Sequence, residues 1–150
     1  MIHIIKQTQF LPISMEKAWD FFSTPENLNK ITPDDLSFKI NSALPSKVYA
    51  GQMIIYKVSP FKNITFDWLT EITQVNEPHL FIDEQRFGPY ALWHHEHHFK
   101  EVDGGVEMTD IVHYKLPFGW FGNLFHGLLV KPKLNQIFSY RYKVLEAMFS

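Results

Sequence analysis

The run ALWHHEHHFKEVDGGVEMTDIVHYKLPFGWFGNLF, residues 91 to 125, carries the change of pattern on which the whole chain turns. In an extended strand successive side chains point to opposite faces, so Trp93, His95, His97 and Phe99 share one face and His94, Glu96 and His98 the other. Trp93 and Phe99 belong inside and carry the two histidines between them inward. Asp103-Gly104-Gly105 has the backbone freedom of a hairpin turn, and Val106 to Leu116 is a second β-forming run. After Pro117 the apolar spacing becomes helical: Phe121, Leu124, Phe125, Leu128 and Leu129, then Leu134, Ile137, Phe138, Arg141, Val144, Leu145 and Met148. Pro132 lies inside that region and predicts a break or kink near Lys131.

Working back from the hairpin, further β-forming runs occupy Leu36 to Leu44, Gln52 to Ser59, Ile64 to Asn76 and Leu80 to Phe87. Gly51, Pro60-Phe61-Lys62-Asn63, Glu77-Pro78 and Gly88-Pro89 break them as turns. Ahead of these, Ile2 to Phe10 reads as a strand. Ser14 is an N-cap for a helix from about Met15 to Ser23, and Pro25 opens a second short helix through Ile31. The pattern is α+β: seven antiparallel strands, two short helices after the first, and a long terminal helix that must cover the apolar face of the sheet. The segment from Pro132 to Phe149 would span roughly 27 Å. A curved sheet and a straight rod touch along limited lines, so a concavity between them is expected, and such apolar hollows with a few polar groups are where ligands bind.

A length of 150 residues predicts one domain, residues 1–150, and 45% apolar with 20% charged side chains excludes disorder as the main state. The 14 Phe, 4 Trp and 6 Tyr are a high aromatic content that suits the lining of a pocket as well as packing. A formal charge of −2 gives no electrostatic case for a nucleic-acid partner. With no cysteine, a thiol nucleophile, a Cys-based zinc site and disulfides are excluded. The amino terminus lacks the pattern of a signal peptide and no run approaches the ~20 apolar residues of a span, so a cytoplasmic location is expected.

Alternation places Met108, Asp110, Val112 and Tyr114 on the inner face of one strand beside the histidines, and Phe81, Asp83, Gln85 and Phe87 on that of the other. A buried carboxylate needs a partner, and imidazole suits Asp110. Three readings follow: a structural network that fixes register, a polar patch that orients a ligand, or a metal site on His-X-His with Asp110 as third ligand. Spacing of two residues does not establish the last, and neither metal nor cofactor is assigned. A His and Asp pair acting as acid and base is the enzymatic alternative. The outward His94, Glu96 and His98 read as a solvated face, and Met15, Met53, Met108 and Met148 as core filler. Arg141 lies in the helical stripe, within reach of a pocket carboxylate or with its head in water. Pro117 to Gly122 reads first as a hydrophobic plug at the end of the sheet, and alternatively as a rim that touches a membrane through Trp120 and Phe121.

The order of elements, with Phe81-Ile82-Asp83-Glu84-Gln85, Gly88-Pro89-Tyr90, WHHEHHF at Trp93 to Phe99, Thr109 to Tyr114 and Leu116-Pro117-Phe118-Gly119, resembles the START-like, or SRPBCC, superfamily. The likeness is to its polyketide cyclase/dehydrase-like and Bet v 1-like members, including a bacterial subgroup sometimes labelled cell-division inhibitors. It covers nearly the whole chain and implies a helix-grip fold, a seven-stranded curved antiparallel sheet around the terminal helix. It further implies an internal cavity for a lipid-, quinone- or polyketide-like molecule. Gln85, Trp93, His95, His97, Asp110 and Tyr114 match the subgroup's pattern and, with Phe138 and Arg141 from the helical stripe, are the candidate ligand-binding residues. The resemblance implies no catalytic assignment for them.

Overall fold

The strands β1 (His3–Leu11), β2 (Lys39–Ile40), β3 (Met53–Phe61), β4 (Ile64–Asn76), β5 (Leu80–Phe87), β6 (Leu92–Val102) and β7 (Gly105–Lys115) form one sheet. A computed structural model describes residues 1–42 and 46–150. The order is β1-β7-β6-β5-β4-β3-β2, every neighbouring pair antiparallel. Register shifts at Val58/Phe61, Leu69/Thr70 and Ile72/Gln74 bend β3, β4 and β5, and such bulges increase local twist and curl the sheet.

Helix α1 (Met15–Phe22) follows β1, its first turn capped by Ser14, whose Oγ accepts from the Lys17 N–H. The second short helix, Pro25–Ile31, has the expected bounds and is a 3₁₀ helix with Pro25 in its first turn. The strand expected from Leu36 is shorter than its apolar pattern. Leu36 ends another 3₁₀ turn and Ser37 is left-handed at φ 45°, so pairing starts only at Lys39. Leu44, its expected end, lies outside the described residues.

The terminal region runs through α2 (Gly119–Phe125), a π turn over His126–Val130 and α3 (Lys131–Phe149). The expected break is instead this wide turn: the Lys131 N–H donates to the His126 carbonyl five residues back, and Pro132 occupies the first turn of α3. Leu134, Phe138, Arg141, Leu145 and Phe149 form its buried stripe.

The solid core lies where α1 and the end of α3 meet the sheet, with Trp19 edge-on to both Phe81 and Phe99 at 5.9 Å. Met108 is fully buried there, whereas Met53 and Met148 are exposed and do not fill the core. Phe87 is 65% exposed, because the bulge between Thr70 and Leu69 reverses the alternation of β5 after Gln85. The Pro117 to Gly122 segment plugs nothing: Phe118 and Trp120 are 83% and 69% exposed.

Candidate functional site

The register of three adjacent strands builds the site. His95 lies opposite Asp83 on β5, and His97 opposite Asp110 on β7, so the two imidazoles stand between carboxylates from both neighbouring strands. The His95 Nε2–H donates to Asp110 Oδ1 at 2.9 Å, and the His97 Nε2–H donates to Asp83 Oδ2 at 2.6 Å. The remaining nitrogens face the opposite acids, His95 Nδ1 at 3.7 Å from Asp83 Oδ2 and His97 Nδ1 at 3.4 Å from Asp110 Oδ1. The two rings are 3.8 Å apart, and Phe81 stacks on His97 at 4.1 Å. From α3, Arg141 Nη2 reaches 3.2 Å from Asp110 Oδ1, with its guanidinium over the Phe22 ring.

Burial pushes the Asp110 carboxyl up, but Arg141 and hydrogen bonds from both imidazoles outweigh it and hold the group well below the usual carboxylate range. Asp83 is likewise lowered, its burial offset by His97 and then by the charges on His95, His97 and Arg141. The stacked imidazoles separate. Burial and the neighbouring His97 push His95 down, while in His97 the hydrogen bonds to Asp110 and Asp83 overcome burial and raise it. A raised His97 favours one imidazolium, which with Arg141 balances the two carboxylates, so that four charges share the buried cluster with a neutral His95.

This cluster forms the polar end of a cavity of about 410 Å³ between the sheet and α3. Asp83, His95, His97 and Arg141 contribute to its wall, and Phe138 faces them from the helix. Trp68, Tyr90 and Trp93 form an aromatic corner, Trp93 lying 5.3 Å from Trp68 and 4.8 Å from Tyr90. Burial raises the phenols of Tyr90 and Tyr56, with the Tyr90 shift reinforced by Tyr114 and the Tyr56 shift by Asp83, so both remain neutral O–H groups.

Of the candidates named from the sequence, Trp93, His95, His97, Phe138 and Arg141 line the cavity. Asp110 is fully buried behind the imidazoles, where it orients them. Gln85 is not on the wall: its amide exchanges hydrogen bonds with the Tyr90 backbone, at 2.7 and 3.0 Å, and closes the turn before β6. Tyr114 is also turned elsewhere, its hydroxyl donating to His126 Nε2 at 2.6 Å under the π turn. Asp83 shares the inward phase of Phe81; the register sets it opposite His95, and its hydrogen bond to His97 is a diagonal contact across the two strands. Trp68 and Tyr56 come from strands whose alternation did not single them out.

Both Asp83 and Asp110 contact the two imidazoles, and the set with metal-ligand spacing is the one that includes Asp83. One ligand atom from each of Asp83, His95 and His97 lies within 4.8 Å of the other two.

No protein-family model matches the sequence, and no curated protein aligns with it significantly. Solved structures do match over nearly the full chain. A Thermus thermophilus protein aligns over 99% of this chain and 100% of its own, with TM-score 0.70 and 14% identity. A Chromobacterium violaceum protein covers 97% and 96%, with TM-score 0.73 and 11% identity. Major latex-like protein 151 from Panax ginseng covers 100% and 99%, with TM-score 0.69 and 12% identity. At these identities the likeness is one of fold, the helix-grip arrangement of Bet v 1-like proteins.

Proposed function

We propose that this helix-grip chain binds a hydrophobic or amphipathic small molecule of lipid-, quinone- or polyketide-like character in its internal cavity. The observation that carries the reading is the hollow of about 410 Å³, within the usual size of ligand pockets, lined mainly by apolar side chains with Asp83, His95, His97 and Arg141 gathered in its wall. Aromatic and aliphatic walls would supply affinity at about 25 cal/mol per Å² of apolar area buried, before ordering costs. His95, His97 and Arg141 would select an oxygen-bearing head group, with Asp110 holding them in place.

Native mass spectrometry of protein purified from its own source tests this directly. A retained small molecule, displaced by a fluorescent fatty-acid analogue that quenches Trp93, is the expected result. His97→Ala should weaken that displacement or lower the melting temperature. Equal binding and melting in parent and variant would remove the network from the reading.

The hydrogen bond from His95 to Asp110 favours a second reading, a cyclase or dehydratase in which Asp110 orients His95 as general base. Turnover of a polyketide-like substrate with a pH–rate inflection below the ordinary histidine range, lost in His95→Gln, would establish it.

The exposed face of Phe118, Trp120, Phe121, Leu124, Phe125 and Leu128 supports a route by which such a molecule enters. Leu116 and Val130, at the two ends of this face, line the cavity, and no acidic residue occurs between Ile111 and Leu145. An apolar helical face with aromatic side chains and a basic surround suits transient contact with an anionic bilayer. No helix among the described residues is long and apolar enough to cross a membrane. Flotation with anionic liposomes, reduced by Trp120→Ala with Phe121→Ala, tests the contact.

A further inference from the structure

We infer that Asp83, His95 and His97 form a binding site for a divalent transition-metal ion at the polar end of the cavity. Three features point there. The donor set is two imidazoles and one carboxylate, which suits zinc, iron or nickel and leaves coordination positions open. Its geometry is near that of a ligated site: Asp83 Oδ2 lies 2.6 Å from His97 Nε2 and 3.7 Å from His95 Nδ1. Bonds of about 2.0–2.2 Å in tetrahedral geometry place ligand atoms roughly 3.3 Å apart, so small rotations of side chains would suffice. The open positions face the cavity, because all three residues belong to its wall.

The third feature is Asp110. Its Oδ1 accepts from His95 Nε2–H and faces His97 Nδ1, so the opposite nitrogen of each ring, His95 Nδ1 and His97 Nε2, is turned towards Asp83. A carboxylate behind a ligating histidine is the usual device for fixing its tautomer and raising its basicity. The cation would take the place of the proton between His97 and Asp83. Asp83 and Asp110 then face a dication and Arg141, and the single surplus positive charge draws water or an oxygen anion into the open position. The outward His94 and His98 are also bonded to acids, Glu84 and Glu96, but the His98 side chain is 41% exposed and the group opens to solvent.

The test uses the full chain stripped with a chelator and titrated with Zn²⁺ or Co²⁺ alone. Expected results are a rise in melting temperature, Co²⁺ bands in the visible, and imidazole nitrogen shifts at Nδ1 of His95 and Nε2 of His97. Asp83→Asn should weaken affinity at least about tenfold, while His98→Gln leaves it unchanged. The nitrogen shifts are read on the unaltered protein and decide the matter even if Asp83→Asn fails to fold. Absence of saturable binding, or shifts confined to His94 and His98, would overturn the site.

Discussion

At the scale of single residues, the molecule stakes much on one carboxylate. Asp110 has no exposure and is the common partner of His95, His97 and Arg141. Removing one member of a buried ionic set leaves the others uncompensated, so Asp110→Ala should cost about 3–5 kcal/mol in chemical denaturation, far more than Glu96→Ala on the outer face. The network also sets a pH window in the metal-free protein. The folded value of His97 is raised, so its contribution is full below about 6.5 and is lost as pH rises through the raised value. Asp83 and Asp110 are lowered, and their contributions are present above about 4 and lost as pH falls. Melting temperature in chelator should therefore pass through a maximum, and His97→Gln should remove the decline on its alkaline side.

Among the elements, the π turn carries a titratable contact of its own. His126 stacks on His3 at 3.5 Å and accepts from Tyr114, tying the turn to β1 and β7. Burial, then the charges of His3 and Lys131, lower His126, so its contribution holds above about 6.5 and is lost as pH falls through the lowered value. Amide exchange over residues 119–130 should be faster at about pH 5 than at about pH 7.5, and His126→Gln should narrow the difference. The bounds of β4 and β5 are those read from sequence, and β7 lies within a residue of its expected run. The start of β2 and the facing of Phe87 at the end of β5 were not legible, because a left-handed Ser37 and a bulge beside Gln85 are local backbone events that apolar patterning does not record. The helical period continued across Pro132, and the wide turn that accommodates it left no mark in that period.

For the whole molecule, the hollow is a stability cost that the proposed binding role would account for. Filling part of it should raise stability while obstructing a guest, the trade expected of a binding site. Val58 lines the wall, and Val58→Phe should raise stability by about 1 kcal/mol while weakening displacement of a fatty-acid analogue several-fold. A loss of stability without loss of binding would mean that this wall is already packed.

The amino-acid order was enough for the α+β class, the seven strands, the rod that covers them and the inward pair His95 and His97, because each follows from periods of two or 3.6 read along a short stretch. It also put Arg141 on the buried stripe. Which acid meets which imidazole, the retreat of Gln85 and Tyr114 from the wall, and the exposure of Trp120 were settled only by three-dimensional packing. Those facts depend on register between strands and on where a helix crosses a curved sheet, relations between distant residues that no local period contains.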